Sequence, residues 1–168
     1  TSTVTGTVTG TVTSAADGST VIATTGEVDG ELADEAAGSA DMNGAATVTG
    51  TVTNDSTLTA AGTIGGDLVN RNGGTTTVDG DLAVNGAGGV SNTGAGSALG
   101  VDAGVTLTSD LTTADGAVST VTGTVTGTVT SAADGSTVIA TTGEVDGDLA
   151  IEADGSADMN GAATVTGT

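Results

Sequence analysis

The sequence predicts an all-β chain wound as a parallel β-solenoid (β-helix), about ten coils of 12–20 residues with three inward apolar columns per coil. Composition, a short apolar register and a long internal duplication predict it. The 168 residues include no Phe, Trp, Tyr, Pro, Cys or His, and much of the 36% hydrophobic content is Ala. A wide globular core offsets chain entropy with large side chains that this sequence lacks. Small residues suffice where the walls of the core lie close together, as in a quasi-one-dimensional coil. Thr and Val favour strands, while Gly, Asp and Asn favour turns.

The short register places three apolar residues at spacings of six and then four. Ile22, Val28, Leu32 is one set, followed by Met42, Val48, Val52 and by Leu58, Ile64, Leu68. Val101, Leu107, Leu111 and Ile139, Val145, Leu149 fit as well. Ser2, Val8, Val12 and Asn72, Val78, Leu82 lack only the first apolar member, and Val84, Val90, Gly94 fits least well. The expected central column therefore runs Val8, Val28, Val48, Ile64, Val78, Val90, Leu107, Val125, Val145, Val165. Alternation in Thr7-Val8-Thr9 and Glu27-Val28-Asp29 turns Val inward and polar neighbours outward. Parallel strands about 4.8 Å apart would make ten coils a rod of roughly 45 Å. Gly recurs between the second and third columns, at Gly10, Gly30, Gly50, Gly66, Gly80, Gly127, Gly147 and Gly167. Such places suit corners or close backbone approach. Ala16-Asp17-Gly18, Asn54-Asp55-Ser56 and Asn70-Arg71-Asn72-Gly73 read as loops closing coils. An antiparallel sandwich also has turn signals, at Asn43-Gly44 and Asn85-Gly86, but does not require this register.

The long repeat is nearly exact. Residues 1–51 recur as 118–168, differing only at Thr1/Val118, Glu31/Asp148, Asp34/Ile151 and Ala37/Asp154. The offset of 117 residues equals seven coils of the expected frame. One continuous solenoid over 1–168 is expected, cut from a longer tandem array.

Charge and missing chemistry narrow the function. A net charge of −20 opposes nucleic acid and anionic membranes. No apolar run approaches the ~20 residues that span a bilayer, so membrane insertion is not expected. Without His there is no triad base, without His or Cys no zinc cluster, and without Lys no phosphate loop. Paired carboxylates can cleave glycosides, but Arg71 is the only basic residue and no aromatic is available to hold sugar. An enzyme is not expected. Asn54-Asp55-Ser56 is also a glycosylation sequon.

The acids form a pattern. Glu27, Asp29 and Glu31 are expected to project from one strand between rungs of Thr, and Glu144, Asp146 and Asp148 repeat this in the second copy. Separating like charges by neutral rungs avoids repulsion along the ladder. A solvated face that keeps the sheet soluble accounts for the pattern. Weak calcium capture, within or between rods, is the other reading, with the loop acids Asp34, Glu35 and Asp41, and Glu152 and Asp154, as further candidates. Calcium is the one cofactor that this pattern of acids suggests. No EF-hand loop or calcium nonapeptide occurs, and acids two apart on a strand stand about 7 Å apart. The Thr-x-Thr triplets resemble those of ice-binding solenoids, a lesser reading because acid rungs interrupt the rows.

Val-Thr-Gly-Thr-Val, Val-Asp-Gly-Glu-Leu and Val-Asp-Gly-Asp-Leu, distributed along the chain, resemble secreted bacterial β-strand-repeat proteins: giant repetitive adhesins and the filamentous-haemagglutinin type. Bactofilins share the short rhythm but are less similar in acidity. The resemblance implies an extracellular or cell-surface location in a bacterium, and a mechanical or adhesive role without catalytic residues. The expected partner is more of the same chain, end to end or side by side. The alternative is the stalk of a giant adhesin whose binding tip lies elsewhere.

Overall fold

A computed structural model describes all 168 residues and contains 24 strands and no helix. Thr- and Val-rich triplets form short strands, three to a coil. The first coil is Ser2–Val4, Thr7–Thr9 and Val12–Ser14; the second is Thr20–Ile22, Glu27–Asp29 and Leu32–Asp34. These pair in parallel, Val4 with Ile22, Val8 with Val28 and Val12 with Leu32, and the same stacking continues along the chain. The result is a parallel β-solenoid with three faces. The third face is a separate eight-stranded sheet. The first two faces form one sixteen-stranded sheet, because Thr57–Ile64 and Thr75–Val84 run unbroken through the corner between them.

Three inward columns fill the interior. The first is Val4, Ile22, Met42, Ala60, Val78, Val101, Val121, Ile139 and Met159. The third is Val12, Leu32, Val52, Leu68, Val90, Leu111, Val129 and Leu149. Together with the second column they make one continuous buried cluster between the end coils, where Val8 and Met159 are exposed. Small residues pack it because facing walls are only a side chain or two apart.

The coil count differs from the expected ten. Eight coils carry a third-face strand, and Ser156–Met159 with Thr164–Val165 begin a ninth. Nine rungs span roughly 40 Å. Val78 lies in the first column and Val90 in the third, so the two sets expected around them merge into one coil. The 117-residue repeat is accordingly six coils, from Val4 to Val121. The cause is the corner between the first and second faces. Where a two-residue turn is inserted, as at Thr24-Thr25, Gly44-Ala45 and Ala103-Gly104, six residues separate the columns; where it is absent, as from Val4 to Val8, four suffice. A fixed six misplaces Ser2 for Val4 and Leu58 for Ala60.

The second corner explains the recurrent glycines. Gly50 N–H donates to Gly30 O, Gly66 N–H to Gly50 O, and Gly86 N–H to Gly66 O. A Cβ on Gly30 would strike the carbonyl of Gly10, and one on Gly147 that of Gly127. The backbones touch, so no side chain fits. Gly86 takes the place expected for Gly80, which lies between Val78 and Leu82 at the other corner. Gly62 combines both demands, with φ +99° and no room for a Cβ beside Ala46 O.

Candidate functional site

The acid rungs lie on the second face. Glu27 pairs with Thr7 below and Thr47 above, and Asp29 with Thr9. Thr7 Oγ1 donates to Glu27 Oε2 at 3.2 Å, and Thr49 Oγ1 to Asp29 Oδ1 at 3.2 Å. The copy repeats it, with Glu144 between Thr124 and Thr164 and Thr166 Oγ1 donating to Asp146 at 2.9 Å. Carboxylates spaced by hydroxyl rungs avoid stacking charge on charge. The same alternation breaks the Thr rows of this face, so no uninterrupted plane of hydroxyls forms there.

Glu31 and Asp148 do not share that strand, contrary to expectation. Each follows the glycine of the second corner, which redirects the chain. Asp148 Oδ1 instead accepts the Thr168 N–H at 2.8 Å and the Thr168 hydroxyl at 3.1 Å, bonds that hold its carboxyl below the usual carboxylate range. Asp67 accepts Gly88 N–H, Asp81 accepts Thr106 N–H and Asp110 accepts Thr128 N–H in the same way, at 2.8–2.9 Å. These acids cap main-chain donors of the neighbouring coil. Glu35, Glu152 and Asp154 lie exposed on the third corner. No three acids converge on a common point.

Arg71 belongs to that third corner. Its Nε donates to Asp55 Oδ1 at 2.8 Å, and Asn72 Nδ2 donates to the same oxygen at 3.2 Å. The ion pair is half exposed, so Arg71→Ala should cost no more than about 1 kcal/mol in a denaturant melt, and less in high salt.

One groove of about 310 Å³ opens on the surface, lined by Gly62, Asp81, Leu82, Ala83, Thr106 and Thr108. It arises from a slip in the ladder: Ile64 pairs with Val84, yet the next coil pairs Leu107 with Leu82, two residues earlier. The one acid in the groove, Asp81, already accepts the Thr106 amide.

The feature that sequence reasoning missed is inside. Two residues beyond seven of the eight third-column residues stand Ser14, Asp34, Asn54, Asn70, Asn92, Thr113 and Ser131, all buried; beyond Leu149 stands the exposed Ile151. Asn54 Nδ2 donates to Asn70 Oδ1 and Asn70 Nδ2 to Asn92 Oδ1, both at 2.8 Å. Asn92 Nδ2 continues to Ser119 Oγ at 3.0 Å, which accepts from Thr113 Oγ1 at 2.7 Å. Thr76 Oγ1 donates to Asn70 Oδ1 at 3.0 Å. This polar ladder runs along the third corner, and its members satisfy one another because no water reaches them. Asn54 and Asn70 are therefore interior residues, although Asn-Asp and Asn-Arg read as loop sequences. Burial also closes the sequon to a glycan. The available signal was the recurrence Val52-x-Asn54, Leu68-x-Asn70, Val90-x-Asn92.

Asp34 is likewise interior, at 1% exposure, and is not the loop ligand expected for a cation. Its copy at the same register is Ile151.

No protein-family model matches the chain, and no curated protein or solved structure matches it.

Proposed function

We propose that this chain is a structural repeat segment of an extracellular or cell-surface fibre, such as a biofilm matrix or surface filament, that associates with further copies of itself. The observation that carries the reading is the register of the long repeat. Ser2–Val4, Thr7–Thr9 and Val12–Ser14 meet the following coil in the same pairing as Ser119–Val121, Thr124–Thr126 and Val129–Ser131 do six coils later. A repeat that re-enters the stack in register extends the rod without altering its surface. Repetition of this kind serves length. The acidic outer faces favour solubility and spacing between rods. The near identity of the two blocks also favours the stalk reading, in which many copies lie in one chain.

Electron microscopy of native material, with the mass of the full chain, separates these readings. Long filaments built from short chains support self-assembly; a very long single chain with terminal domains supports an adhesin stalk. Compact particles in place of rods would sink both.

A further inference from the structure

The interior polar row has one member that breaks its own rule. Ser14, Asn54, Asn70, Asn92 and Ser131 each donate to a main-chain carbonyl on the first face, those of Ser39, Thr75, Ala98, Val118 and Ser156, at 2.7–2.9 Å. The five acceptors share one rung position, since Ser39, Thr57, Thr75, Ala98, Val118, Ser136 and Ser156 pair in succession. Thr57 is the acceptor that falls to position 34. Asp34 stands there almost fully buried, with neither carboxylate oxygen hydrogen-bonded. An ionised carboxylate has no hydrogen to give, and enclosing it unpaired is costly. Every neighbour in the row is neutral and is a donor.

We propose that Asp34 is held as the neutral acid, its O–H directed to the Thr57 carbonyl, so that removing this proton loosens the second to fourth coils. The charges around it favour this state. Asp55, in the coil above, is an anion, and the Arg71 guanidinium beside it is engaged with Asp55 itself. Glu35 on the same turn and Asp17 in the coil below lie exposed on the outer side of the corner. Asp41, on the strand Ser39–Met42, alternates with the inward Ala40 and Met42 and accepts a hydrogen bond from Asn43. The strands Val12–Ser14, Val52–Asn54 and Thr57–Ile64 contribute no charged group. Burial raises the Asp34 carboxyl to about 6, and Asp55 adds to the rise; the nearby Thr57 amide and Ser14 hydroxyl oppose it.

Above its ordinary value of 3.8, the folded chain binds this proton more tightly than the unfolded chain does. Stability is therefore greatest on the acid side, falls as pH rises from about 4 to about 6, and is level above that. Ile151 at the equivalent position of the second copy carries no such proton.

The test compares the chain with Asp34→Asn, which supplies the donor that Asn54 supplies one coil above. Circular dichroism melts at about pH 5 and about pH 7.5 should show the parent losing on the order of 5 °C at the higher pH. The variant should melt alike at both. A variant that keeps the drop, or a parent without one, overturns the proposal. The Asp34 carboxyl carbon, followed by NMR in the parent, reads the proton directly and does not depend on the variant folding. A midpoint near 6 supports the proposal, and one near the ordinary 3.8 overturns it.

Discussion

Val48→Asp is expected to abolish ordered structure around the third coil, whereas Thr47→Asp should leave the fold intact. The two residues are adjacent on one strand but face opposite ways. Val48 is fully buried between Val28 below and Ile64 above. Losing its burial removes roughly 1.5–3 kcal/mol. An ionised carboxylate in its place costs several kcal/mol more, because the interior here is aliphatic and offers no donor. In a stack each coil is held by its two neighbours, so damage at one rung weakens both interfaces. Thr47 faces water, with Glu27 opposite it on the rung below and Thr63 above. Asp at 47 would set two carboxylates face to face, a penalty of about 0.2–1 kcal/mol that salt should screen. Circular dichroism melts at two salt concentrations check both parts. Equal losses for the two variants would contradict the assigned faces.

Asn70→Ala is expected to be the most damaging polar-to-small change in the chain. Asn70 accepts from Asn54 and Thr76 through Oδ1, while its Nδ2 lies 2.8–2.9 Å from Gly74 O, Asn92 Oδ1 and Ala98 O. Truncation leaves these groups buried, with no water to replace the lost amide. Each orphaned buried group costs about 1–3 kcal/mol, and the costs overlap within one network. A total on the order of 3–5 kcal/mol follows. Asn72 is the control: exposed, at φ +54°, and bonded only to Asp55. Asn72→Gly should change stability by less than about 1 kcal/mol, since Gly accepts that backbone conformation freely. Chemical denaturation, with hydrogen exchange at residues 52–58 and 90–100, would reveal the difference. Comparable losses for the two variants would show that the ladder is not a structural element.

Much of the solenoid could be read in the sequence because its signal is periodic. Val28 and Val48 announce their inward direction through polar neighbours on both sides. The rungs Thr7, Glu27 and Thr47 could be aligned by counting, because the first three coils share a spacing of 20 residues at this column. The frame failed at Thr75–Val84, where the chain passes the first corner without the two-residue turn. There Val78 and Leu82 belong to different faces of one coil, and counting alone divides them wrongly. Glu27, Asp29, Glu144 and Asp146 were legible in position, whereas Glu31, Asp148 and Asp34 were misplaced and the bonds of the corner acids were not foreseen. Asp67, Asp81, Asp110 and Asp148 meet main-chain N–H groups some 18–25 residues away, contacts that exist only once coils are stacked.

The sequence by itself determined an all-β coil with small inward residues, acid rungs held apart by Thr, and a long repeat that preserves register. These follow from local alternation and from β-branched and turn-forming residues, whose preferences act over a few positions. Only the tertiary structure decided how many coils there are, and which polar residues lie inside. Corner length depends on how one coil seats on the next, and Asn54, Asn70, Asn92 and Asp34 become interior only when the third corner closes over them. Burial belongs to the stack and not to the residue, which is why Asn in a loop-like sequence became a ladder and Asp34 an acid shut away from water.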